Sequence, residues 1–422
     1  MKRFKLVILM CCCVLVSILA VACGNTETIT STETTDSIAT SATTSVATAT
    51  TNLPPTTEEV PTKFIDLKIG GTSISEYTIV YAKSPYKAYT RSPDKKQYFP
   101  VYDFDHETAN RLSDLIFDVT GIRLNVVEDV DATEMANEIL IGKTKRSVLG
   151  DVDAAKLGSD EYVLEVVETK LVICGGEFGT TWHAIDYLET LFAAALSEKK
   201  VEYSFSNDYL WKGNYHLTVI GCIGDSITQG IGASDQSLYS YPAQMGRLLW
   251  KDAIVLNFGS SGATMRNDLG DAYTKRGVYS NAVKAASEVD IFTVMLGTND
   301  SNRDPSWSNS DTREFKNSCL GIMKALQRQN RDLEFVLVNC PTYFGTGTFG
   351  SAEVRQVQAE LVTSLNDSGC PTTLFDMYTA TQNMSAHFPG GLHPNDMGYL
   401  KIAYAFAEFL QNFITPAISE AK

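Results

Sequence analysis

The chain has 422 residues, which exceeds the length of a typical single domain and predicts two folded units in addition to a targeting segment. Its 50 acidic and 35 basic side chains leave a formal net charge of -15. A surface with this charge repels nucleic-acid phosphates and anionic lipid headgroups, so the composition excludes a nucleic-acid-binding role and direct adhesion to an anionic membrane.

The first residues have the pattern of an export signal. Three basic residues within the first five positions precede an apolar run at 6–22, which is short for a membrane span. The letters LAVAC at 19–23 resemble a bacterial lipobox, so we predict a lipoprotein-type signal peptide over 1–23 with Cys23 as the lipidated residue. The expected location is the cell surface, with this lipid as the sole membrane anchor. Free secretion and an uncleaved anchor are the alternatives.

A low-complexity stretch follows the signal. Residues 24–62 consist mainly of Thr, Ser and Ala, with two prolines near the end and few large apolar side chains. Such a composition cannot bury a core, so we predict a disordered linker that holds the folded part away from the membrane. A glycosylated stalk and a bare spacer are both compatible with it.

Most of the nine cysteines lie beyond the targeting segment, and none of those forms a Cys-x-x-Cys pair. Three of them stand in apolar, strand-like runs, where a buried and unreactive thiol is the usual state. We therefore expect neither a disulfide framework nor a zinc site. The cysteines concerned are Cys174, Cys222, Cys319, Cys340 and Cys370.

Strands and helices alternate over residues 63–211, which predicts a small α/β domain. Apolar side chains at helical spacing over 109–119 form one face of a helix that stops at Gly121. Residues 161–174 have the pattern of a hairpin, and a second helix follows over 181–196.

Two segments of this front domain, EILIGKTKR and KLVICGGEFGTTWHAIDYLE, resemble the small α/β domain that precedes the catalytic barrel in several glycoside hydrolase families. The resemblance carries no catalytic motif.

Residues 212–418 predict a second, larger α/β domain. Five largely unbroken apolar runs alternate with helical segments, and strands buried on both faces have this composition. The pattern indicates a five-stranded parallel sheet with helices on both sides. The predicted strands are 217–223, 253–258, 290–296, 333–339 and 373–378.

Chemically suggestive residues follow four of these strands. Ser226 lies in GDSIT after the first strand, Gly262 ends the block NFGSSG after the second, and Asn299 lies in GTND after the third. A loop after the fifth strand leads to His393 in HPND. Ligands of parallel sheets bind beyond the carboxyl ends of the strands, so we expect the four blocks to converge at one edge.

Together these residues supply what acyl transfer requires. A serine hydroxyl needs an imidazole to take its proton, and Ser226 and His393 can fill those places. The tetrahedral intermediate needs N–H donors aimed at its oxyanion. We predict as donors the backbone N–H groups of Ser226 and Gly262 and the side-chain amide of Asn299.

The four blocks, in this order, resemble those of the SGNH/GDSL hydrolase family over residues 213–418. The resemblance implies an SGNH-type, flavodoxin-like fold and an esterase that needs no cofactor or metal. It assigns the nucleophile to Ser226, the oxyanion residues to Gly262 and Asn299, and the base to His393.

One position departs from the family pattern. The last block normally reads Asp-x-x-His, and Gly390 stands in the place of that aspartate. The aspartate normally holds the imidazole in the productive tautomer. The candidates for this task are a backbone carbonyl near Gly390 or Gly391, as the Ser-His dyads of some family members imply, and then Asp376 or Asp396.

Other polar residues near the blocks are expected to be structural. Asp225, Asp300 and Asp396 suit hydrogen bonds that fix loops and helix starts, and Gly259 suits turn geometry. His387 lacks the following proline of the family pattern. The remaining histidines lack the spacing of metal ligands and are expected in packing or on the surface. They are His106, His183 and His216.

Three aromatic residues in loops after the third and fourth strands are weaker candidates for contact with a sugar ring. They are Trp307, Tyr343 and Phe344. Simple loop packing explains them equally well.

The sequence therefore predicts an extracellular serine esterase that removes small acyl groups, with acetyl as the first choice, from a polysaccharide. The export signal, the glycosidase-like front domain and the loop aromatics favour carbohydrate. The alternatives are a lipid or lysophospholipid esterase, an enzyme that passes the acyl group to another sugar, and a surface carbohydrate-binding protein whose hydrolase domain has decayed.

Overall fold

A computed structural model describes the chain over residues 64–85, 103–146 and 153–414, all of which fall in the unit Pro61–Lys422. The predicted signal peptide 1–23 with Cys23, and the predicted linker 24–62, lie outside these residues. Among the helices that are described, none combines the length and the apolar character needed to cross a membrane.

Over its described residues, the front half contains two sheets and two α-helices. The larger sheet has the order β4-β3-β5-β7-β6-β9, with parallel pairs from β4 to β7 and antiparallel pairs at β6. The smaller sheet has the order β2-β1-β8. The elements are β1 Asp66–Ile69, β2 Thr72–Ser73, β3 Thr78–Tyr81, α1 Phe104–Thr120, β4 Val126–Glu128, β5 Glu138–Ile141, β6 Glu161–Val167, β7 Lys170–Gly175, α2 Phe178–Ser197, β8 Glu202–Phe205 and β9 Leu210–Asn214.

The predicted helices and hairpin of this half are present. Residues in the left-handed backbone region mark the end of α1 and the turn of the hairpin. Helix α1 buries its apolar face against the larger sheet and ends where Gly121 adopts a φ of 73°. The hairpin β6–β7 turns at Glu168, which has a φ of 56°. Strand β9 pairs with β6, so the predicted boundary between residues 211 and 212 falls inside a strand of the front sheet. The likeness of this half to glycosidase accessory domains stays a prediction.

The second half confirms the predicted five-stranded parallel sheet with flanking helices. The strand order is β11-β10-β12-β13-β14, and every neighbouring pair is parallel. The elements are β10 Thr218–Gly224, α3 Ser226–Gln229, α4 Gln236–Tyr239, α5 Tyr241–Leu248, β11 Ala253–Gly259, α6 Gly277–Ala285, β12 Ile291–Met295, α7 Asp300–Arg303, α8 Asn309–Gln327, β13 Glu334–Val338, α9 Ala352–Asp367, β14 Thr372–Phe375, α10 Met377–Thr381 and α11 Asp396–Leu410.

Two apolar cores sandwich this sheet. Helices α6, α8 and α9 cover one face, and α5 and α11 cover the other. The chain leaves β10 for β11 on one side and returns to β12 on the opposite side of β10. The strand order therefore reverses between β10 and β12, and in open α/β sheets this switch point is where ligands bind.

The last predicted strand, 373–378, is wrong at its carboxyl end. Strand β14 stops at Phe375, and Tyr378 lies in helix α10. The reason is Asp376, whose carboxylate accepts hydrogen bonds from the N–H and the hydroxyl of Thr379 and so starts a helix. Apolar composition alone does not reveal this cap.

The cysteines beyond the targeting segment are free and buried, as the apolar runs around three of them predict. Burial raises the thiol pKa of four of them to about 12, so they stay protonated at neutral pH. Those four are Cys174, Cys222, Cys319 and Cys340.

The two halves meet at the turn between α5 and β11. Trp250 stacks on Phe104 of α1 with ring centroids 4.6 Å apart. Lys251 Nζ donates to Glu107 at 2.5 Å, and the Lys251 carbonyl accepts from His183 Nε2 at 2.9 Å. His183 thus has the packing role expected for it, and a mainly aromatic contact joins the halves.

Two glycines should respond in opposite directions to alanine. A Cβ at Gly221, in the interior strand β10, would lie 2.3 Å from the buried ring of Phe292. Gly221→Ala should therefore lower the free energy of unfolding by about 1–3 kcal/mol because the core is overpacked. Gly321 is an exposed site within α8 with open space around it, so Gly321→Ala should raise stability by about 0.5–1 kcal/mol.

Urea unfolding followed by circular dichroism measures both variants. Equal stability of Gly221→Ala and the parent protein would contradict the packing of β10 against β12.

Candidate active site

Ser226 is the first residue of α3, two positions after the end of strand β10. Asp225 is the N-cap of this helix, and its carboxylate accepts a hydrogen bond from Ile227 N at 2.9 Å. The first N–H groups of a helix have no partner inside it, so the N–H of Ser226 is available to a ligand. The side chain of Ser226 is 6% exposed, at the strand-order switch point.

His393 lies 167 positions further along the chain, and the fold brings it to the nucleophile. The distance from His393 Nε2 to Ser226 Oγ is 2.8 Å. His393 stands just before α11, whose N-cap Asn395 accepts from Gly398 N at 2.9 Å. Burial lowers the pKa of His393 below its ordinary value, which favours the neutral imidazole that a general base requires.

Gly262 and Asn299 belong to segments that are joined to the cap of the helix of Ser226. Gly262 adopts a φ of 76°, a conformation that favours glycine, in the loop after β11. The amide of Asn299 donates to the carbonyl of Ala263 at 3.0 Å and to Asp225 Oδ2 at 3.4 Å. Asn299 therefore connects the loop of Gly262 to the cap of the nucleophile helix. Their use as oxyanion donors stays a prediction.

Asp225 and Asp300 have the structural roles expected from the sequence. Asp300 accepts from the backbone N–H groups of Met265 and Arg266, each at 2.9 Å, and so fixes the loop that carries Gly262. Burial raises the pKa of Asp225 and that of Asp300 to about 6.

Gly259 has a different role from the expected one. Its φ is not in the left-handed region, but a Cβ there would lie 2.2 Å from the backbone N of Gln229. The glycine is needed because the end of β11 packs directly on α3. Gln229 also accepts from Ser261 N at 2.7 Å, and Asn257 donates to the carbonyl of Thr228 at 2.9 Å. Sequence reasoning assigned no role to Gln229.

Three of the four groups proposed to orient His393 are engaged elsewhere. The carbonyl of Gly391 accepts from Phe344 N at 2.9 Å. Asp376 caps α10, and Asp396 binds Ser234. The carbonyl of Gly390 stays a prediction. Among the described residues burial is the cause of the pKa shift of His393, and no carboxylate opposes it.

A second set of contacts fixes the loop of the base. Asp396 accepts from Ser234 N at 2.7 Å and from Ser234 Oγ at 2.6 Å. Tyr399 donates to the carbonyl of Ile231 at 2.6 Å. These four residues form what we call the base clamp, because they tie the chain after α3 to the start of α11.

Gly232 fits within the clamp. Its φ is 99°, and a Cβ would lie 2.5 Å from the carbonyl oxygen of Pro394 and 3.1 Å from the Cβ of His393. The chain after the nucleophile helix therefore lies directly against the base. The sequence does not predict these contacts, because the position of Asp396 is equally typical of an aspartate that caps a helix.

The weaker aromatic candidates make packing contacts. Trp307 Nε1 donates to Thr312 at 3.0 Å, and its ring contacts Phe315. Tyr343 donates to the carbonyl of Thr346 at 3.0 Å. Phe344 packs on Phe388 with ring centroids 5.1 Å apart. Phe344 also contacts the loop of His393, because its N–H donates to the carbonyl of Gly391. Contact with substrate stays a prediction for all three.

The other histidines do not join the site. His387 accepts a backbone hydrogen bond from Asn395 through its carbonyl, and burial lowers the pKa of its ring. His216 bridges Asp160 and Asp290 at 3.0 and 3.1 Å. Over the described ranges, no group of three or more metal-binding side chains comes together.

Comparison with known proteins gives one family match. Residues 222–401 match the model of the GDSL-like Lipase/Acylhydrolase family, and this range contains all four sequence blocks. An acetylxylan esterase from Xylanibacter ruminicola is 35% identical over 108 residues, which are 26% of this chain and 22% of that protein. The match thus spans about a fifth of the relative's length.

Solved structures of two esterases are similar to part of the chain. A carbohydrate acetylesterase from Sinorhizobium meliloti is 16% identical, covers 46% of this chain and 99% of its own, and has a TM-score of 0.37. A family two carbohydrate esterase from Clostridium thermocellum, in complex with cellohexaose, is 22% identical, covers 50% of this chain and 68% of its own, and has a TM-score of 0.38.

Loss of the base clamp should slow the reaction of Ser226. In Asp396→Asn the amide cannot accept from both donors of Ser234 in the same way, so the loop of His393 should loosen. We expect the rate of labelling of Ser226 by a fluorophosphonate to fall about 10- to 100-fold, because small misplacements of reacting groups have effects of that size.

Asp376→Asn is the matched control, since this aspartate caps α10 outside the clamp. Comparable labelling rates in the two variants would show that the clamp does not position the base. Thermal melting checks that both variants fold.

Proposed function

Because residues 222–401 form a GDSL-like lipase/acylhydrolase domain, we propose that this chain is a serine esterase that removes acetyl or other small acyl groups from carbohydrate. The observation that carries the proposal is the 2.8 Å contact between His393 Nε2 and Ser226 Oγ. The family match confirms the predicted class of domain, and the contact supports Ser226 as the nucleophile and His393 as its base.

In the proposed reaction, Ser226 Oγ attacks the ester carbonyl carbon while His393 Nε2 takes the hydroxyl proton. The tetrahedral intermediate collapses when the bond to the sugar oxygen breaks, and His393 returns the proton to that oxygen. Water then attacks the acyl-enzyme with His393 again as the base. The products are the free sugar hydroxyl and a carboxylic acid, and Ser226 is restored.

The intermediate needs hydrogen-bond donors for its oxyanion, and we assign this role to three groups. They are the backbone N–H groups of Ser226 and Gly262 and the amide of Asn299. The contact of Asn299 with Asp225 is 3.4 Å, which is long for a hydrogen bond and easily exchanged for a shorter one to a developing negative charge. Asp225 stays in place through Ile227 N.

The substrate class rests on the sequence and on one relative. The protein that shares 35% identity over 108 residues is named for acetylxylan, an acetylated polysaccharide. The export signal and the Cys23 anchor predicted from the sequence are consistent with a polymer outside the cell, and we propose this location as well. A decayed binding protein is less well supported, because the contact between base and nucleophile is intact.

Removal of either reacting group should abolish activity. Ser226→Ala and His393→Ala should each lower kcat/KM for p-nitrophenyl acetate by at least about 10³-fold, since the first has no nucleophile and the second no base. His387→Ala is the control for the loss of a nearby imidazole and should retain activity. Substantial turnover by Ser226→Ala would reject the serine mechanism.

The pH dependence should reflect the buried base. Burial lowers the pKa of His393 from 6.5, so the neutral, active form persists to lower pH than for an exposed imidazole. We expect kcat/KM to rise with pH, with a midpoint below 6.5, and then to level off. A midpoint above 6.5 would indicate a carboxylate partner for the ring.

Gly390→Asp gives a direct comparison. The space around the Cβ position of Gly390 is open, so the side chain can be accommodated. A carboxylate that reaches His393 should stabilise the imidazolium and shift the midpoint upward. An unchanged profile would show that position 390 does not face the ring.

Acyl chain length separates the proposed substrate from a lipid. We expect kcat/KM for p-nitrophenyl esters to be highest for acetate and to fall for butyrate, octanoate and palmitate. Preference for the long chains would replace the carbohydrate proposal with the lipid esterase.

A further inference from the structure

A cavity lies in the front half, at the carboxyl ends of three parallel strands. Strands β3, β5 and β7 are neighbours in the larger sheet, and the residues that follow them line a space of about 390 Å³. This volume lies within the range of ligand pockets, about 300–1,000 Å³. The place is also where open α/β sheets bind their ligands.

Two long helices begin at this cavity. Asp105 lies in the first turn of the 17-residue α1, and Phe178 begins the 20-residue α2, and both line the space. The N-terminus of a helix carries a partial positive charge, which favours an electron-rich ligand atom. The starts of α1 and α2 therefore both favour a ligand oxygen in the cavity.

The carboxylate of Asp105 points to a ligand. Its residue is 5% exposed, and among the described residues its Oδ1 has no hydrogen-bond partner. Gly142, at the end of β5, has a φ of 73°, and a Cβ there would lie 2.5 Å from Asp105 Oδ2. The glycine thus makes room for the carboxylate. Buried acceptors are nearly always satisfied, so a donor from outside is expected.

The charges around the cavity select the ligand class. An anion is opposed by Asp105 and Glu177, and a cation is opposed by the two helix starts and by Lys83 and Lys143. An apolar ligand would leave Asp105 Oδ1 unsatisfied. A neutral molecule rich in hydroxyl groups meets all three conditions, because each hydroxyl both donates and accepts.

We propose that this cavity binds a neutral saccharide through Asp105, Lys143 and the N-termini of α1 and α2. The site goes beyond the proposed esterase activity, and it rests on that proposal only for the choice of test sugars. In this proposal the front half binds the polysaccharide, and Ser226 acts on the acyl groups of the same polymer.

The test is calorimetric titration of the full chain, carrying Ser226→Ala, with xylotriose and with cellotriose. Inorganic phosphate and Ca²⁺ are the charged probes. We expect at least one trisaccharide to bind, with the affinity about tenfold or more weaker in Asp105→Asn and in Lys143→Met. Lys145→Met is the matched control, because Lys145 is exposed in the same loop but does not line the cavity.

Absence of trisaccharide binding, or binding that survives both substitutions, would overturn the proposal. Binding of phosphate or Ca²⁺ alone at these residues would overturn it as well. Lys143 is exposed, so Lys143→Met remains decisive even if Asp105→Asn melts at a lower temperature. With Ser226 intact, both variants should hydrolyse p-nitrophenyl acetate at the parental rate, which keeps this site separate from the esterase proposal.

Discussion

The contact between Ser226 and His393 depends on the register of one parallel sheet. Strand β10 pairs with β11 and β12 so that all three end at the same level. That alignment puts the ends of β10 and β12 at one edge, where the amide of Asn299 reaches Asp225, the residue before Ser226. The surrounding hydrogen bonds help to keep the 2.8 Å contact between Ser226 and His393. Asp225 and Asp300 hold the loops on one side, and the base clamp holds the other.

In the reaction proposed for Ser226 and His393, positioning is distributed over several contacts, where a triad uses one carboxylate. In a triad the aspartate both orients the imidazole and stabilises its charged form. The contacts of Asp396 and Gly232 lie at the backbone near His393 and not at its ring. Burial lowers the pKa of His393, so the proposed base is less basic than an imidazole that a carboxylate stabilises.

The sequence predicts the sheet and the nucleophile–base pair because both leave local signatures: buried parallel strands are apolar runs, and their polar ends stand out. It fails where the cause is a contact between distant segments. The helix at Tyr378 follows from one capping carboxylate, the packing of Gly259 against Gln229 depends on tertiary structure, and the partner of Asp396 lies 162 positions away. A pattern in a short stretch of sequence cannot predict contacts with residues that are distant along the chain.

The aromatic joint between the halves has a practical implication for anyone who wishes to study the second half by itself. Trp250 belongs to the second half, yet its indole is stacked on Phe104 and meets Trp182 edge-on, both from the front half. Truncation before β10 would leave that indole and its neighbours facing water. The shortened protein would then have an exposed apolar patch. Its poor solubility would result from the absence of the front half and not from misfolding of the second half.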